Sequence, residues 1–152
     1  MTFNGVVSVH KRCQCGNEMK LLLRTVVYAG KTEIANVPIF SCGSCSQSEV
    51  LYDVKRDLKE LIANLGSNPD EHPIRFEDCN ELVDVLYEVF TQGLAYANVR
   101  NIEAMLEERI NQLLDLYLLA RSLSDRHWTA EIEKRLTQIT SFSLHAYRSN
   151  AK

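Results

Sequence analysis

The chain has no long hydrophobic run, and this absence excludes the simplest membrane-spanning design. Its 152 residues contain no stretch near the roughly 18 consecutive apolar residues that a transmembrane helix needs. The first residues, MTFNGVVSVHKRC, also lack the apolar core and the small-residue cleavage site of a secretory signal peptide. We therefore expect a cytoplasmic protein that makes no contact with a membrane.

The sequence also lacks a strong excess of positive charge, which bears on nucleic-acid binding. The formal net charge is −3. The first fifty residues carry five basic and three acidic side chains, and acidic residues outnumber basic ones in the remainder. Binding to a phosphate backbone requires a clustered basic surface, so a nucleic acid is a less favoured partner than a protein. Four basic side chains are candidate contacts for phosphate or for an acidic protein partner: Lys11, Arg12, Lys20 and Arg24.

Motifs of the common enzyme classes are missing as well. The sequence has no glycine-rich phosphate loop, no nucleophile elbow and no HExxH. Three histidines stand apart from other chemically active residues and are interpreted as surface or packing residues: His72, His127 and His145. We therefore expect a protein without catalytic activity, and a metal-dependent or thiol-based enzyme is the least favoured alternative.

Two further features have structural interpretations. Cys79 lies at the start of a predicted helix, where the carboxylates of Glu77 and Asp78 oppose formation of a thiolate. We therefore interpret it as a half-buried structural cysteine. The run EAMLEER, residues 103–109, is interpreted as a solvent-exposed helix face supported by charge pairs four residues apart.

The first fifty residues show the pattern of strands and turns. Residues 6–9 and 21–28 are rich in apolar and β-branched side chains, and Gly30 interrupts the pattern at AGKT. The next segment, residues 33–40, contains Pro38, which predicts an edge strand or a bulged strand because proline cannot donate a ladder hydrogen bond. Two strands joined by a glycine turn form a small hairpin, which is marginal in stability unless its open end is fastened.

From residue 52 onward the apolar residues recur at the helical period of 3.6. The first stripe ends at Gly66, a typical helix stop, and the fourth begins after Ser124 or Asp125, either of which can cap a helix. Four stripes predict four helices: Val54, Leu58, Leu61, Ile62 and Leu65; Leu82, Val85, Leu86, Val89 and Phe90; Ile102, Leu106, Ile110, Leu113, Tyr117 and Ala120; Trp128, Ile132, Leu136 and Ile139.

The fold predicted from these patterns is α+β, a small N-terminal β zinc ribbon followed by an α-helical bundle. We expect the ribbon at residues 1–50, a connecting helix at 51–66, a linker at 67–75 and the helical bundle domain at 76–152. The linker is indicated by the glycine, serine, asparagine and two prolines of GSNPDEHPIR. The segment LLDLYLLA is apolar almost all round, so we expect the helical region to form a homodimer.

Four of the five cysteines form two close pairs at the predicted open end of the hairpin. Cys13 and Cys15 precede it, and Cys42 and Cys45 follow it. An odd number of cysteines argues against a disulfide framework, and clustered thiols in a reducing compartment favour metal binding. Zn²⁺ takes four tetrahedral ligands, so the spacing predicts one structural zinc ion per chain. His10, three residues before Cys13, is a substitute ligand if one thiol is displaced.

The glycines beside the two cysteine pairs bear on how the thiols converge. Gly16 follows Cys15 directly and permits the turn that brings both thiols of the first pair onto one ion. In the second pair, we expect Gly43 to let the backbone turn tightly between Cys42 and Cys45.

The segment CQCG…VVYAGKTEIANVPIFSCGSCSQSEVL, roughly residues 10–55, resembles the YgiT-type zinc finger family, the zinc module of MqsA-like antitoxins. The resemblance implies that the four paired cysteines are the zinc ligands and that Val37 and Pro38 form the approach to the second pair. The first pair departs from the family's usual Cys-Pro-x-Cys, because Arg12 stands where the first thiol would fall. The antitoxins' helix-turn-helix has no convincing match downstream.

These features together favour protein association as the function. A zinc saturated by four thiolates has no open position for substrate, so the site is expected to hold the fold together. The resemblance implies that residues 1–65 engage a partner protein of unknown identity. We therefore interpret the chain as a non-catalytic, zinc-binding regulatory or adaptor protein. A DNA-binding regulator or antitoxin-like repressor is the alternative.

Overall fold

The computed structural model describes residues 9–67, 72–93 and 98–142, which form an antiparallel, curled sheet followed by helices. The predicted α+β class is confirmed, and the described residues contain the four expected α-helices. The strands are β1 (His10–Arg12), β2 (Glu18–Tyr28), β3 (Thr32–Cys42), β4 (Ser48–Val50) and β5 (Ile74–Arg75). The helices are α1 (Tyr52–Leu65), α2 (Glu81–Thr91), α3 (Val99–Ser122) and α4 (Arg126–Thr140).

The sheet is built around the β2–β3 hairpin, as the sequence predicts. Its strands pair antiparallel from Met19 opposite Cys42 to Tyr28 opposite Thr32. The turn between them uses Ala29 and Gly30, both with positive φ. The predicted strand at residues 6–9 falls mostly outside the described residues, and the first described strand is instead β1, which pairs with the start of β2.

Pro38 lies in the centre of the sheet, so the prediction of an edge strand is wrong. On the side of β3 away from β2, β5 pairs with Ile34 and Ala35, and β4 pairs with residues 39–41. Pro38 lies between the segments that pair with β4 and β5, so no ladder hydrogen bond on this side of β3 requires its N–H group. The alternative prediction, a bulged strand, fits the register shift opposite the β2 segment between Arg24 and Val26, where Asn36 of β3 adopts a φ of 63°.

The linker region includes a short strand that the sequence pattern did not indicate. Ile74 and Arg75 form β5, which runs parallel to β3. A turn of 3-10 helix, Phe76–Asp78, follows it and buries the Phe76 ring completely. The chain is thereby fastened to the sheet before α2 begins. The predicted boundaries of the ribbon, linker and bundle domains stay predictions.

Three helices begin at side-chain caps, which fixes their starting points. Asn80, Asn98 and Asp125 accept hydrogen bonds from backbone N–H groups three residues later. Asp125 is therefore the cap of α4, and the alternative Ser124 is not. Gly66 ends α1 with a φ of 74°, as predicted. No α-helix within the described ranges combines the length and the apolar character that crossing a membrane would take.

The four helices bury the apolar stripes that the sequence predicts. The stripe residues contribute to one hydrophobic cluster that also contains the buried face of the β2–β3 hairpin. Its largest completely buried side chains come from the sheet, from Leu51 at the entry to α1, from the 3-10 turn and from α2, α3 and α4: Phe40, Phe76, Ile34, Leu51, Leu82, Leu86, Ile102, Leu113, Ile132 and Ile139.

An ion-pair network ties α2 to α3 and α4, and it corrects one interpretation of the sequence. The side chain of Arg109 is only 14% exposed and donates to Glu81 at 2.6 Å and to Asp84 at 2.7 Å. Arg135 donates to the same Glu81 carboxylate from α4 at 2.8 Å. The segment ending at Arg109 is therefore not simply a solvated face, because its arginine turns toward the carboxylates of α2.

Candidate metal centre

Each pair of cysteines lies in a tight turn at the open end of the hairpin. The first turn follows β1: the N–H of Cys13 donates to the carbonyl of Asn17, and the N–H of Gly16 donates to the carbonyl of Cys13. The second follows β3: the N–H of Cys42 donates to the carbonyl of Gln47, and that of Ser46 donates to the carbonyl of Cys42. The two turns have the same pattern of backbone hydrogen bonds, and the second turn contains one more residue.

The residue after the second cysteine of each pair takes a left-handed backbone conformation. Gly16 has a φ of 95° and Ser46 a φ of 63°. The sequence predicts that Gly16 permits the first turn, and this is what the backbone shows. It also predicts that Gly43 permits the second turn. That prediction is wrong, because Gly43 has no positive φ and Ser46 makes the turn instead.

The two turns bring the four thiols together. The sulfur atoms of Cys13 and Cys45 are 3.4 Å apart, and those of Cys15 and Cys42 are 3.7 Å apart. All four sulfur atoms lie within 4.8 Å of one another. Each close contact joins one turn to the other, so the group spans the open end of the hairpin. Cys13 and Cys42 are buried, whereas Cys15 and Cys45 are exposed.

The distances fit a tetrahedral metal ion. Sulfur ligands about 2.3 Å from zinc at the corners of a tetrahedron lie about 3.8 Å from one another. The two short contacts are close to this separation and far above the roughly 2.05 Å of a disulfide bond. Soft thiolate ligands select zinc and similar ions over magnesium or calcium. Four cysteines therefore form a group that could hold one metal ion with a structural role.

Backbone N–H groups in the turns favour thiolates at two of the four positions. The backbone N–H and the side-chain amide of Asn17 lower the pKa of Cys15 to about 6. The backbone N–H groups of Cys45 and Ser44 lower the pKa of Cys42. These hydrogen bonds stabilise negative charge on the two sulfur atoms, so they prepare the site to hold thiolates.

Cys45 behaves differently because the other thiols surround it. The backbone N–H of Gln47 favours its thiolate, but the Cys13 thiol, burial and the remaining two thiols outweigh that bond and raise the pKa of Cys45 to about 12. Four thiolates this close repel one another strongly. A bound cation removes the repulsion, and metal binding is therefore coupled to loss of the remaining thiol protons.

His10, the predicted substitute ligand, is not part of the four-thiol group. Its Nδ1 lies 2.9 Å from a carboxylate oxygen of Glu18 across the β1–β2 pair. Gln47 is a neighbour that the sequence did not indicate: its Oε1 lies 3.8 Å from the sulfur of Cys13. No spacing rule predicts this contact, because it depends on how the second turn folds back.

The four basic residues predicted as contacts do not form one cluster. Lys11 pairs with Glu49 on β4 and lies 5.9 Å above the ring of Phe40. Lys20 and Arg24 are four residues apart on β2, so they share a face of that strand, whereas Lys11 pairs in register with the buried Met19. Arg12 is exposed at the end of β1.

The remaining candidate residues lie outside the cysteine group. His72 and His127 are exposed, as predicted, and His145 lies outside the described residues. Cys79 is exposed in the turn before α2, so the prediction of a half-buried cysteine is wrong. Partial desolvation of the sulfur and the carboxylates of Asp78 and Glu77 raise the pKa of Cys79 above its usual value. The opposing effect of acidic neighbours on this thiol is as expected.

Comparison of the chain with protein-family models, with curated proteins and with solved structures finds no match. The function is therefore inferred from the geometry of the four thiols and from the surfaces of the sheet and helices.

Proposed function

We propose that the four cysteines bind one Zn²⁺ per chain and that the protein is a non-catalytic regulatory or adaptor protein acting through protein association. The observation that carries the proposal is the convergence of four thiols at separations that match a tetrahedral zinc site. Cys13, Cys15, Cys42 and Cys45 are the proposed ligands. The resemblance of residues 10–55 to YgiT-type zinc fingers supports the same ligand set.

The proposed zinc acts as a clamp. One turn connects β1 to β2 and the other connects β3 to β4. An ion between them therefore joins the start of β2 to the end of β3 at the open end of the central hairpin. Structural zinc sites contribute on the order of 10 kcal/mol of apparent binding free energy, far more than a small hairpin gains from its own contacts. Four thiolates fill the coordination sphere, which leaves no position for a substrate.

Protein association is supported by the surface of α3. Leu114 and Leu118, two of the six large hydrophobic side chains that are exposed among the described residues, lie one turn apart on one face of this helix. Such concentrations of apolar side chains are typical of interaction surfaces. The pairing of Lys11 with Glu49 neutralises part of the basic surface, which makes a nucleic acid the less favoured partner.

Metal analysis of three purified proteins tests the zinc proposal. We expect one zinc per chain in the native protein and loss of zinc in Cys42→Ser, because three thiolates hold the ion less firmly. Cys79→Ser is the matched control: it removes a cysteine outside the group and should keep the full zinc content. Zinc retained by Cys42→Ser, or absent from the native protein, would refute the proposal.

A binding comparison tests the choice of partner class. We expect the native protein to co-purify one protein at constant stoichiometry and to show no measurable affinity for duplex DNA at physiological salt. Binding to DNA that weakens steeply with salt and is lost in Arg24→Ala would instead favour the DNA-binding alternative.

A further inference from the structure

Helix α3 carries a continuous apolar stripe on a face next to its buried face. Residues three, four and seven positions apart lie on one face of a helix. The buried face of α3 is formed by Ile102, Leu106, Leu113 and Ala120. Leu114 and Leu118 project from another face, one turn apart, with 45% and 64% of their surface exposed. Ile110, one turn before Leu114, is partly buried and extends the same line of side chains.

Two opposite charges stand at equal distances from the centre of this stripe. Glu107 precedes Leu114 by seven residues and Arg121 follows it by seven residues, so both lie on the same face about 10 Å from it along the axis. Both side chains are exposed. Among the described residues neither forms an ion pair, and the guanidinium of Arg121 lies 5.8 Å from the ring of Tyr117. We call Glu107, Ile110, Leu114, Leu118 and Arg121 the α3 stripe.

We propose that the α3 stripe binds a second copy of this chain, with the two α3 helices antiparallel and a twofold axis at Leu114. In that arrangement Leu114 meets its own copy, and Ile110 meets Leu118 of the other chain. Glu107 meets Arg121 of the other chain at both ends. Every member of the stripe thus finds a complementary member, as a twofold interface requires.

The charges decide the direction of the two helices. A parallel pair in register would set Glu107 against Glu107 and Arg121 against Arg121, and like charges at the edge of an interface oppose association. A different protein as the occupant would not need opposite charges placed symmetrically about Leu114. The symmetry of the stripe therefore favours a second copy over another partner.

This inference rests on the proposed function in one respect, because it identifies a second copy as one protein partner. The turns that hold the four cysteines connect strands of the sheet, whereas the stripe lies on α3. The two proposals are therefore tested by separate measurements. Loss of zinc without loss of the dimer, or the reverse, shows which of the two has failed.

The test measures the mass in solution of zinc-loaded, full-length variants by sedimentation over a range of concentrations. We expect the native chain to form a dimer with twice the mass of one chain. Leu118→Glu should shift it to monomer, because it places a carboxylate against the apolar Ile110 of the other chain on each side of Leu114. Leu123→Glu is the matched control, since Leu123 is 62% exposed but lies on another face of the helix, and it should stay dimeric.

Charge reversal tests the antiparallel arrangement. Glu107→Arg alone and Arg121→Glu alone should each weaken the dimer at least tenfold, and the double variant should restore it. A monomeric native chain overturns the proposal, and so does a dimer that is unaffected by Leu118→Glu. Failure of the double variant to recover overturns the antiparallel pairing. Circular dichroism confirms that each variant is folded, and Leu118→Gln replaces Leu118→Glu if the latter unfolds.

Discussion

At the scale of single residues, the candidate site depends on two left-handed backbone positions. Gly16 and Ser46 each follow the second cysteine of a pair and turn the chain so that both sulfurs face the same point. Glycine adopts a positive φ at no steric cost, whereas most other residues lose about 1–2 kcal/mol there. The first turn is one residue shorter than the second, and glycine occupies its left-handed position.

The first prediction concerns Gly16. Replacing it with alanine should lower the free energy of unfolding by about 1–2 kcal/mol and weaken zinc binding, because alanine is strained at a φ of 95°. Gly43→Ala is the control, since Gly43 has no positive φ and open space where the Cβ would lie. Urea denaturation with zinc present measures both variants, and an equal effect of the two would contradict this account.

At the scale of secondary-structure elements, the sequence predicted the parts that have a strong repeating pattern. The four helices and the central hairpin carry apolar residues at regular spacing, and the structure places them where that spacing indicates. The four cysteines were identified for a similar reason, because short paired spacings around a hairpin leave few alternatives. Regular spacing is thus sufficient to predict the long elements, and short paired spacing is sufficient to identify the members of a compact cluster.

The features that the sequence did not reveal depend on contacts between distant segments. Strand β5 is two residues long and exists because Ile74 and Arg75 meet the bulged part of β3. A segment so short has no period of its own. Pro38 was assigned to an edge by a rule about missing donors, but the gap between β4 and β5 makes the centre of the sheet equally suitable. Arg109 looked solvated because its acidic partners lie on another helix.

The second prediction concerns the network between α2, α3 and α4. Burial opposes ionisation of Glu81, but Arg135 and Arg109 outweigh it and hold the pKa of Glu81 below its ordinary value of 4.5. Glu81→Gln should therefore lower the free energy of unfolding at pH 7 by about 2 kcal/mol, the size of a hydrogen bond to a charged group. Urea denaturation measures the loss.

The pH dependence of this difference follows from the direction of the shift. A carboxyl that is more acidic in the folded chain stabilises it above the unfolded pKa, and the contribution is lost as the pH falls below about 4.5. Native protein and Glu81→Gln should therefore approach each other in stability at low pH. Glu60→Gln removes an exposed pair with Arg56 and should change nothing measurable. A difference for Glu81→Gln that persists unchanged at low pH contradicts the ion-pair explanation.

At the scale of the whole molecule, the cysteine group and the helices are connected through one apolar cluster. Cys13 and Cys42 are themselves members of that cluster, together with Phe40 of the sheet and Ile102 of α3. A metal that fixes the two turns therefore fixes side chains that also pack toward the helices. We expect the stability of the sheet and that of the helices to depend on the same ion.

The third prediction follows from this connection. Treating the native protein with a chelator should lower its melting temperature, and the loss should appear in the helical circular dichroism signal as well as in the sheet. Returning Zn²⁺ should restore the melting temperature, whereas Mg²⁺ should not, because it prefers oxygen ligands. Cys42→Ser should be insensitive to the chelator. A helical signal that melts at the same temperature with and without metal would instead mark residues 76–152 as an independent domain.

The central claim is that four thiolates close the coordination sphere of one zinc ion. X-ray absorption at the zinc edge of the purified protein tests it most directly, because it counts the ligand atoms and measures their distances. We predict four sulfur atoms at about 2.3 Å and no nitrogen or oxygen ligand. Three sulfur atoms with a nitrogen would place a histidine such as His10 in the site, and a bound oxygen would reveal an open position. The latter result would contradict a purely structural role.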